Sequence, residues 1–150
     1  MIDGVVVQPL KKIVDARGRV MHMMKATDPH FETFGEIYFS SVYPGIIKGW
    51  HDHTRMIINY AVVSGSILLV LYDGRATSPT KGEIMEIVLG EHNYSLVKVP
   101  PGVVNGFRAL GTHEAIVANC ASSPHDPTET IRIDPFTPDI PYNWNKSIHG

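Results

Sequence analysis

The sequence has one cysteine, no excess of positive charge and no long hydrophobic run, and each of these absences excludes a class of protein. Cys120 alone cannot form an intrachain disulfide or a zinc site built on paired cysteines. The 13 Lys and Arg against 15 Asp and Glu give a net charge of -2, which exerts no general attraction on nucleic acid or anionic membranes. No apolar run approaches the roughly 20 residues that span a bilayer, and the first residues do not follow the pattern of a signal peptide. We therefore expect a cytoplasmic protein that binds neither nucleic acid nor a membrane.

Helical periodicity is also scarce. The only segment that favours a helix is short, residues 28–35, where Pro29 suits a first turn. The rest of the chain alternates short β-rich runs with turn residues, which predicts an all-β sandwich or a small barrel. The candidate strands are residues 4–10, 19–25, 35–44, 46–53, 56–73, 83–90, 95–100, 105–110 and 113–121.

The length and composition predict a single domain over residues 1–150, with a Pro-rich segment of about residues 122–150 packed on it. The prolines of this segment favour extended or looped backbone. Trp144 lies near its end, and we expect so large an apolar side chain to be docked on the domain rather than free.

Two histidines, His51 and His53, stand one residue apart in the run KGWHDHTRM. Residues two apart on a strand point to the same face, so both imidazoles could reach one ion or one cavity. The spacing resembles the first metal-binding motif of the cupins, but the glutamate of that motif is replaced by Ile58. Its last histidine, in a second motif, is replaced by Asn105. Two imidazoles alone hold a divalent metal weakly, so we expect no metal and no cofactor, and His51 is left as an acid or base near neutral pH.

Five further stretches carry a resemblance to one family. In chain order they are DARGRV, IIKGWH, the stretch from GSILLVLYDGR through SPTKGE to LGEHN, VPPGVVNGF, and IDPFTPDIPYNW. Together they resemble the dTDP-4-dehydrorhamnose 3,5-epimerases, a metal-independent branch of the cupins, over residues 15–144. The resemblance implies a double-stranded β-helix, or jelly-roll barrel, with at most one or two short helices. It also implies a homodimer that epimerises a nucleotide-linked 4-keto-6-deoxy sugar.

The resemblance implies a proton-transfer mechanism with three candidate catalytic residues. The base that removes the proton beside the ketone corresponds to His51, and the aspartate that fixes its tautomer corresponds to Asp134. The family's enolate-stabilising lysine falls at Ile58, with Lys48 as the nearest substitute. The family's opposite-face tyrosine falls in SSPHDP, where the proton carrier is His125. These departures favour a 3- or 5-epimerase over the double reaction.

The expected substrate-binding residues are Arg17, Lys48, His53, Arg75 and Asn105. Arg17 resembles a family arginine that reaches a phosphate, often across a dimer interface, and Asn105 could donate a hydrogen bond to an oxyanion. Simpler interpretations stay open for three of the candidates. Arg17 could be a solvated turn residue, Arg75 could pair with a neighbouring aspartate, and Asp134 could only begin a turn.

Three other functions also stay open at this point. The chain could be a nucleotide-sugar ketoisomerase, a cupin that binds a sugar nucleotide without turning it over, or a metal-dependent cupin.

Overall fold

The computed structural model describes residues 1–145, and this part of the chain is all-β, as predicted. It contains twelve strands. They are β1 (Val6–Pro9), β2 (Lys12–Asp15), β3 (Gly18–Met21), β4 (Glu36–Val42), β5 (Ile47–His53), β6 (Ile58–Ser64), β7 (Ser66–Asp73), β8 (Ile84–Gly90), β9 (Ser95–Val99), β10 (Val103–Ala109), β11 (Ala115–Ala121) and β12 (Thr130–Arg132).

Ten of these strands form two five-stranded antiparallel sheets. The first has the order β1-β9-β6-β11-β4 and the second the order β12-β5-β10-β7-β8, while β2 and β3 form a separate hairpin. The chain passes repeatedly from one sheet to the other, which is the double-stranded β-helix expected from the sequence. No helix within residues 1–145 is long and apolar enough to cross a membrane.

The main core lies between the two sheets and is built from alternating side chains. On β7, Leu69 and Leu71 point into this core, while Leu68 and Val70 belong to a second cluster on the outer face of the same sheet. All four are at most 2% exposed, as expected for a central strand with an almost unbroken apolar run.

The second cluster holds the C-terminal segment on the outer face of the second sheet. Trp144 is 3% exposed, and its ring centroid lies 4.9 Å from those of Trp50 and Tyr142. Ile140 packs in the same cluster. The segment is thus docked through its apolar residues up to Asn145, and residues 146–150 lie outside the described part of the chain.

One local expectation was wrong. Residues 28–30 form a bend and a turn and residues 31–35 are irregular, so no helix is present; Asp28 Oδ2 accepts from the backbone N–H of Lys25 and the Asp28 carbonyl from that of Phe31. This side-chain bond satisfies the backbone locally and competes with a helix. The long apolar run 56–73 divides into β6 and β7, which belong to different sheets, because Gly65 turns the chain with φ +73°.

Candidate active site

A cavity of about 830 Å3 opens between the two sheets. Four predicted site residues line it: β5 supplies Lys48, His51 and His53, and the segment after β11 supplies His125. The remaining polar lining comes from residues that the sequence did not single out. These are Tyr38 and Ser40 on β4, Tyr60 on β6, Asn119 on β11, and Thr130 and Arg132 on β12.

A β-bulge brings Lys48 to the same face as His51. His51 pairs with Asn105 of β10, and Lys48 pairs with Phe107, so three steps along β5 match two steps along β10. In a regular strand, residues three apart would point to opposite faces. The extra residue of the bulge turns both side chains into the cavity.

The surroundings of His51 favour the neutral form of its imidazole. Burial lowers the pKa of its imidazole below the ordinary value of 6.5, and the nearby charges of His53, Arg132 and Lys48 lower it further. Within residues 1–145 its ring nitrogens make no hydrogen bond, so they remain available to a substrate. An uncharged imidazole at neutral pH can accept a proton.

His53 is held by a carboxylate that the sequence did not indicate. Its Nδ1 donates to Glu129 Oε1 at 2.8 Å, and Glu129 is 1% exposed. The backbone N–H groups of Arg55 and Met56 donate to Glu129 Oε2 at 2.9 and 2.7 Å. Burial alone would raise the pKa of Glu129, but these hydrogen bonds outweigh it and lower the pKa to about 2. Glu129 therefore fixes the orientation of the His53 ring through Nδ1, and Nε2 takes no part in this hydrogen bond.

The expected pair of His51 with Asp134 is not formed. Asp134 is exposed, and its Oδ1 accepts from the backbone N–H of Phe136 at 2.8 Å. Its carbonyl accepts from Thr137 in the same turn. β12 ends at Arg132, and the backbone hydrogen bonds to β5 continue only to Ile133, so Asp134 lies beyond this pairing and begins a turn.

Asn105 supports the cavity wall rather than facing a substrate. It is fully buried, and its Oδ1 accepts from Tyr60 OH at 2.7 Å. Its Nδ2 donates to the carbonyl of His51 at 3.4 Å. The side chain does not line the cavity, and an oxyanion contact from Asn105 stays a prediction.

The two predicted phosphate-binding arginines also lie outside the cavity. Arg75 donates to Asp73 at 2.9 Å and to the carbonyl of Asp3 at 2.6 Å, which is the local pairing that the sequence left open. Arg17 stands in the turn between β2 and β3 with its side chain 89% exposed, bonded to Asp15 at 2.7 Å. In its own chain Arg17 does not reach the site.

No three His, Cys, Asp or Glu side chains within residues 1–145 come together in a group that could hold a metal ion. In this range His51 and His53, the two imidazoles that the sequence already showed, are joined by no third ligand of these types.

The two-residue period of a β-strand is enough to identify some of the cavity-lining residues that the sequence did not single out. Val42 is buried at the end of β4, so Tyr38 and Ser40, four and two residues earlier, share its inward face. Arg132 could not be found in this way, because its three-residue strand lies in a Pro-rich stretch without periodicity.

Comparison with known proteins agrees with this architecture. The sequence profile of the dTDP-4-dehydrorhamnose 3,5-epimerase family matches residues 1–149. The chain is 36% identical over 158 residues to the probable low-salt glycan biosynthesis epimerase Agl13 of Haloferax volcanii, covering 99% of this chain and 98% of that protein. It is 36% identical over 148 residues to the spore coat polysaccharide biosynthesis protein SpsL of Bacillus subtilis, covering 97% of each.

A solved structure agrees over nearly the whole length. The crystal structure of a dTDP sugar isomerase from Desulfovibrio desulfuricans G20 superposes with a TM-score of 0.95 at 41% identity, covering 97% of this chain and 94% of that one. The profile, the two relatives and this structure all extend across the sheets that form the cavity. The chain belongs to the dTDP-4-dehydrorhamnose 3,5-epimerase family, whose members are isomerases that act on nucleotide sugars.

Proposed function

We propose that the cavity is the active site of an epimerase for a nucleotide-linked 4-keto-6-deoxy sugar, with His51 as the base. The observation that carries this proposal is a neutral imidazole without a hydrogen-bond partner among the described residues, facing a cavity large enough for a sugar. The ketone acidifies the carbon beside it, and His51 removes the proton from that carbon. The electrons of the C–H bond then form an enolate, and return of a proton on the other face inverts the centre.

Lys48 is the proposed stabiliser of the enolate oxygen. Its Nζ donates to Ser40 Oγ at 3.1 Å, so the ammonium is held at the cavity wall near the base. Ile58, which occupies the family's lysine position, is fully buried in the core and cannot take this role. A positive charge placed where negative charge develops lowers the barrier to enolate formation.

His53 is proposed to bind the substrate, and His125 stays a predicted proton carrier at the cavity wall. His53 has one nitrogen fixed by Glu129, which orients the other. His125 is exposed in the segment between β11 and β12. Neither is assigned the first proton transfer.

Solvent exchange tests the proposed function. The protein is incubated with dTDP-4-keto-6-deoxyglucose in D2O, and deuterium at C3 and C5 is followed by NMR and mass spectrometry. We expect deuterium exchange with inversion at one or both carbons. In His51→Asn the rate of exchange should fall by at least about 100-fold. Product analysis separates epimerisation from movement of the keto group, which would indicate a ketoisomerase.

The matched variant is His53→Asn, which removes the neighbouring imidazole of the same strand. It should raise KM more than it lowers the rate of exchange. If His53→Asn abolished exchange while His51→Asn retained it, the base would be His53. Binding of the nucleotide sugar without exchange in the wild type would refute the epimerase and favour a binding protein.

We further propose a homodimer. β4 is an edge strand, and its outward residues Ile37 and Phe39 are 50% and 63% exposed. The β2–β3 hairpin pairs with neither sheet and exposes Val14 and Val20. An unpaired edge next to exposed apolar side chains favours association with a second copy. Sedimentation should give twice the chain mass, and a monomer at micromolar concentration would contradict the proposal.

A further inference from the structure

We propose that Tyr38 is the catalytic acid that protonates the enolate on the face opposite His51. This inference rests on the proposed epimerase function and adds a residue that the sequence did not single out. Tyr38 of β4 pairs with Asn119 of β11, and Asn119 pairs with Tyr60 of β6, so the three stand in one row across the sheet and line the cavity together.

A matching row crosses the second sheet. Arg132 of β12 pairs with His51 of β5, and His51 pairs with Asn105 of β10. The hydrogen bond of 2.7 Å from Tyr60 OH to Asn105 Oδ1 joins the two rows across the barrel. The rows therefore lie at the same level, with His51 on one sheet and Tyr38 on the other.

A sugar ring between the sheets would present one face to each row. Inversion needs a base on one face and an acid on the other, because a single group would return the proton to the side from which it came. His51 and Tyr38 are titratable groups at the same level on opposite walls of the cavity. This placement gives the two-sided arrangement that inversion requires.

The surroundings of Tyr38 suit proton donation. Its hydroxyl accepts a hydrogen bond from Asn119 Nδ2 at 2.7 Å, so its own proton remains free for the substrate. Asn119 Oδ1 in turn accepts from the backbone N–H of Asn59, which fixes the orientation of the amide. Burial raises the pKa of Tyr38, and the phenol is protonated at neutral pH. The Asn119 amide also stabilises the phenolate that forms when the proton leaves.

The proton transfers balance. His51 takes the proton from the carbon beside the ketone, and the enolate carbon then takes the hydroxyl proton of Tyr38 as the carbonyl re-forms. The phenolate regains a proton from water, which reaches Tyr38 because the residue is 41% exposed. The imidazolium of His51 releases its proton to solvent, so both groups return to their starting states.

Two other groups are less well placed. Tyr60 is 6% exposed and already donates its hydroxyl proton to Asn105. His125 stands in an exposed segment outside both rows. Tyr38 is thus the acid that the geometry favours, and His125→Gln serves as the competing variant.

The experiment separates proton removal from inversion. Wild type, Tyr38→Phe, His125→Gln and Tyr43→Phe are each incubated with dTDP-4-keto-6-deoxyglucose in D2O, and exchange and inversion are measured at the same carbon. Tyr43 is a control, since it lies outside the cavity and is 66% exposed. Binding of dTDP and the thermal unfolding midpoint confirm that each variant is folded.

We expect Tyr38→Phe to exchange the proton with retention at close to the wild-type rate, while inversion falls by about 100-fold or more. Equal loss of exchange and inversion would mean that Tyr38 only binds or positions the substrate, and would overturn the assignment. So would a selective loss of inversion in His125→Gln with Tyr38→Phe unaffected. If the wild type itself gave no exchange, the proposed function would fail, and this inference with it.

Discussion

At the scale of single residues, the titration of His51 can be measured directly. Burial, followed by the charges of His53 and Arg132, lowers its pKa below 6.5. A base with a lowered pKa stays neutral at lower pH, so the acid limb of kcat/KM should lie below pH 6.5. Arg132→Gln removes one positive charge beside the imidazole and should move this limb to higher pH.

A pH profile of kcat/KM for the three proteins checks this expectation. Arg55→Gln is the matched control, because Arg55 is exposed and pairs with Asp126 outside the cavity. Its profile should coincide with that of the wild type. If the acid limb did not move in Arg132→Gln, the charge of Arg132 would have no effect on the pKa of His51.

The buried carboxylate of Glu129 gives a stability prediction. Its pKa falls from 4.5 in the unfolded chain to about 2, so its stabilisation is fully present above pH 4.5 and is lost as the pH falls toward 2. Glu129→Gln should lower the free energy of unfolding at pH 7 by about 1–3 kcal/mol. The difference from the wild type should shrink as the pH falls from 4.5 toward 2.

Urea unfolding at several pH values measures this difference. Glu32→Gln is the control, since Glu32 is an exposed carboxylate 3.5 Å from Lys98, and such a surface pair contributes about 1 kcal/mol or less. A difference for Glu129→Gln that stays constant from pH 7 to pH 3 would mean that the carboxylate charge does not stabilise the fold.

Single residues also mark the limit of what the sequence predicts about the site. His51 and His53 were predicted to share a face from the period of a strand, and both line the cavity. Glu129 was not found, because its contact with His53 spans 76 positions and depends on the path of a Pro-rich segment. Asp134 was chosen from its position in a sequence motif. Such a motif does not indicate where the strand ends, and here β12 ends before Asp134.

At the scale of elements, the bulge in β5 controls the geometry of the site. β5 and β10 approach closely where Gly49 faces Gly106, and a Cβ on Gly106 would lie 3.2 Å from Gly49 Cα and 3.1 Å from the Trp144 ring. Gly106→Ala should therefore push the strands apart, at a cost in stability of about 1–3 kcal/mol.

In Gly106→Ala, kcat/KM should fall by more than the loss of folded protein alone would explain. Lys48 and His51 stand on either side of the bulge, so a shift of β5 changes the distance between the proposed base and the proposed enolate stabiliser. A displacement of about 1 Å can cost about 100-fold in rate. Urea unfolding and kcat/KM are the measurements, and a fully active Gly106→Ala would show that the bulge tolerates the added methyl group.

The strands themselves were largely predictable, because β-rich runs between turn residues give a local signal. β2 and β12 were missed for different reasons. Lys12–Asp15 carries only two apolar residues and pairs in an exposed hairpin, while Thr130–Arg132 is too short to show alternation. The helix expected at residues 28–35 was displaced by local side-chain bonds that a periodicity argument does not count.

At the scale of the whole molecule, the proposed dimer connects an exposed hairpin to the active site. Arg17 lies at the tip of the β2–β3 hairpin and does not reach the cavity of its own chain. Tyr38 and Ser40 line the cavity from the edge strand β4, whose other face carries Phe39. A hairpin from a second copy lying along β4 would bring its Arg17 to the cavity mouth, where a guanidinium suits a diphosphate.

Hybrid dimers test this arrangement. His51→Asn and Arg17→Gln are purified separately, mixed at equal concentration, and unfolded and refolded together. If Arg17 acts on the partner's site, each hybrid has one site with both native residues, and the mixture should recover about a quarter of the wild-type activity per site. If Arg17 acts in its own chain or not at all, mixing restores nothing beyond the average of the two parents. Phe39→Glu supplies the control, because a charge on the apolar edge should give monomers that show no recovery on mixing.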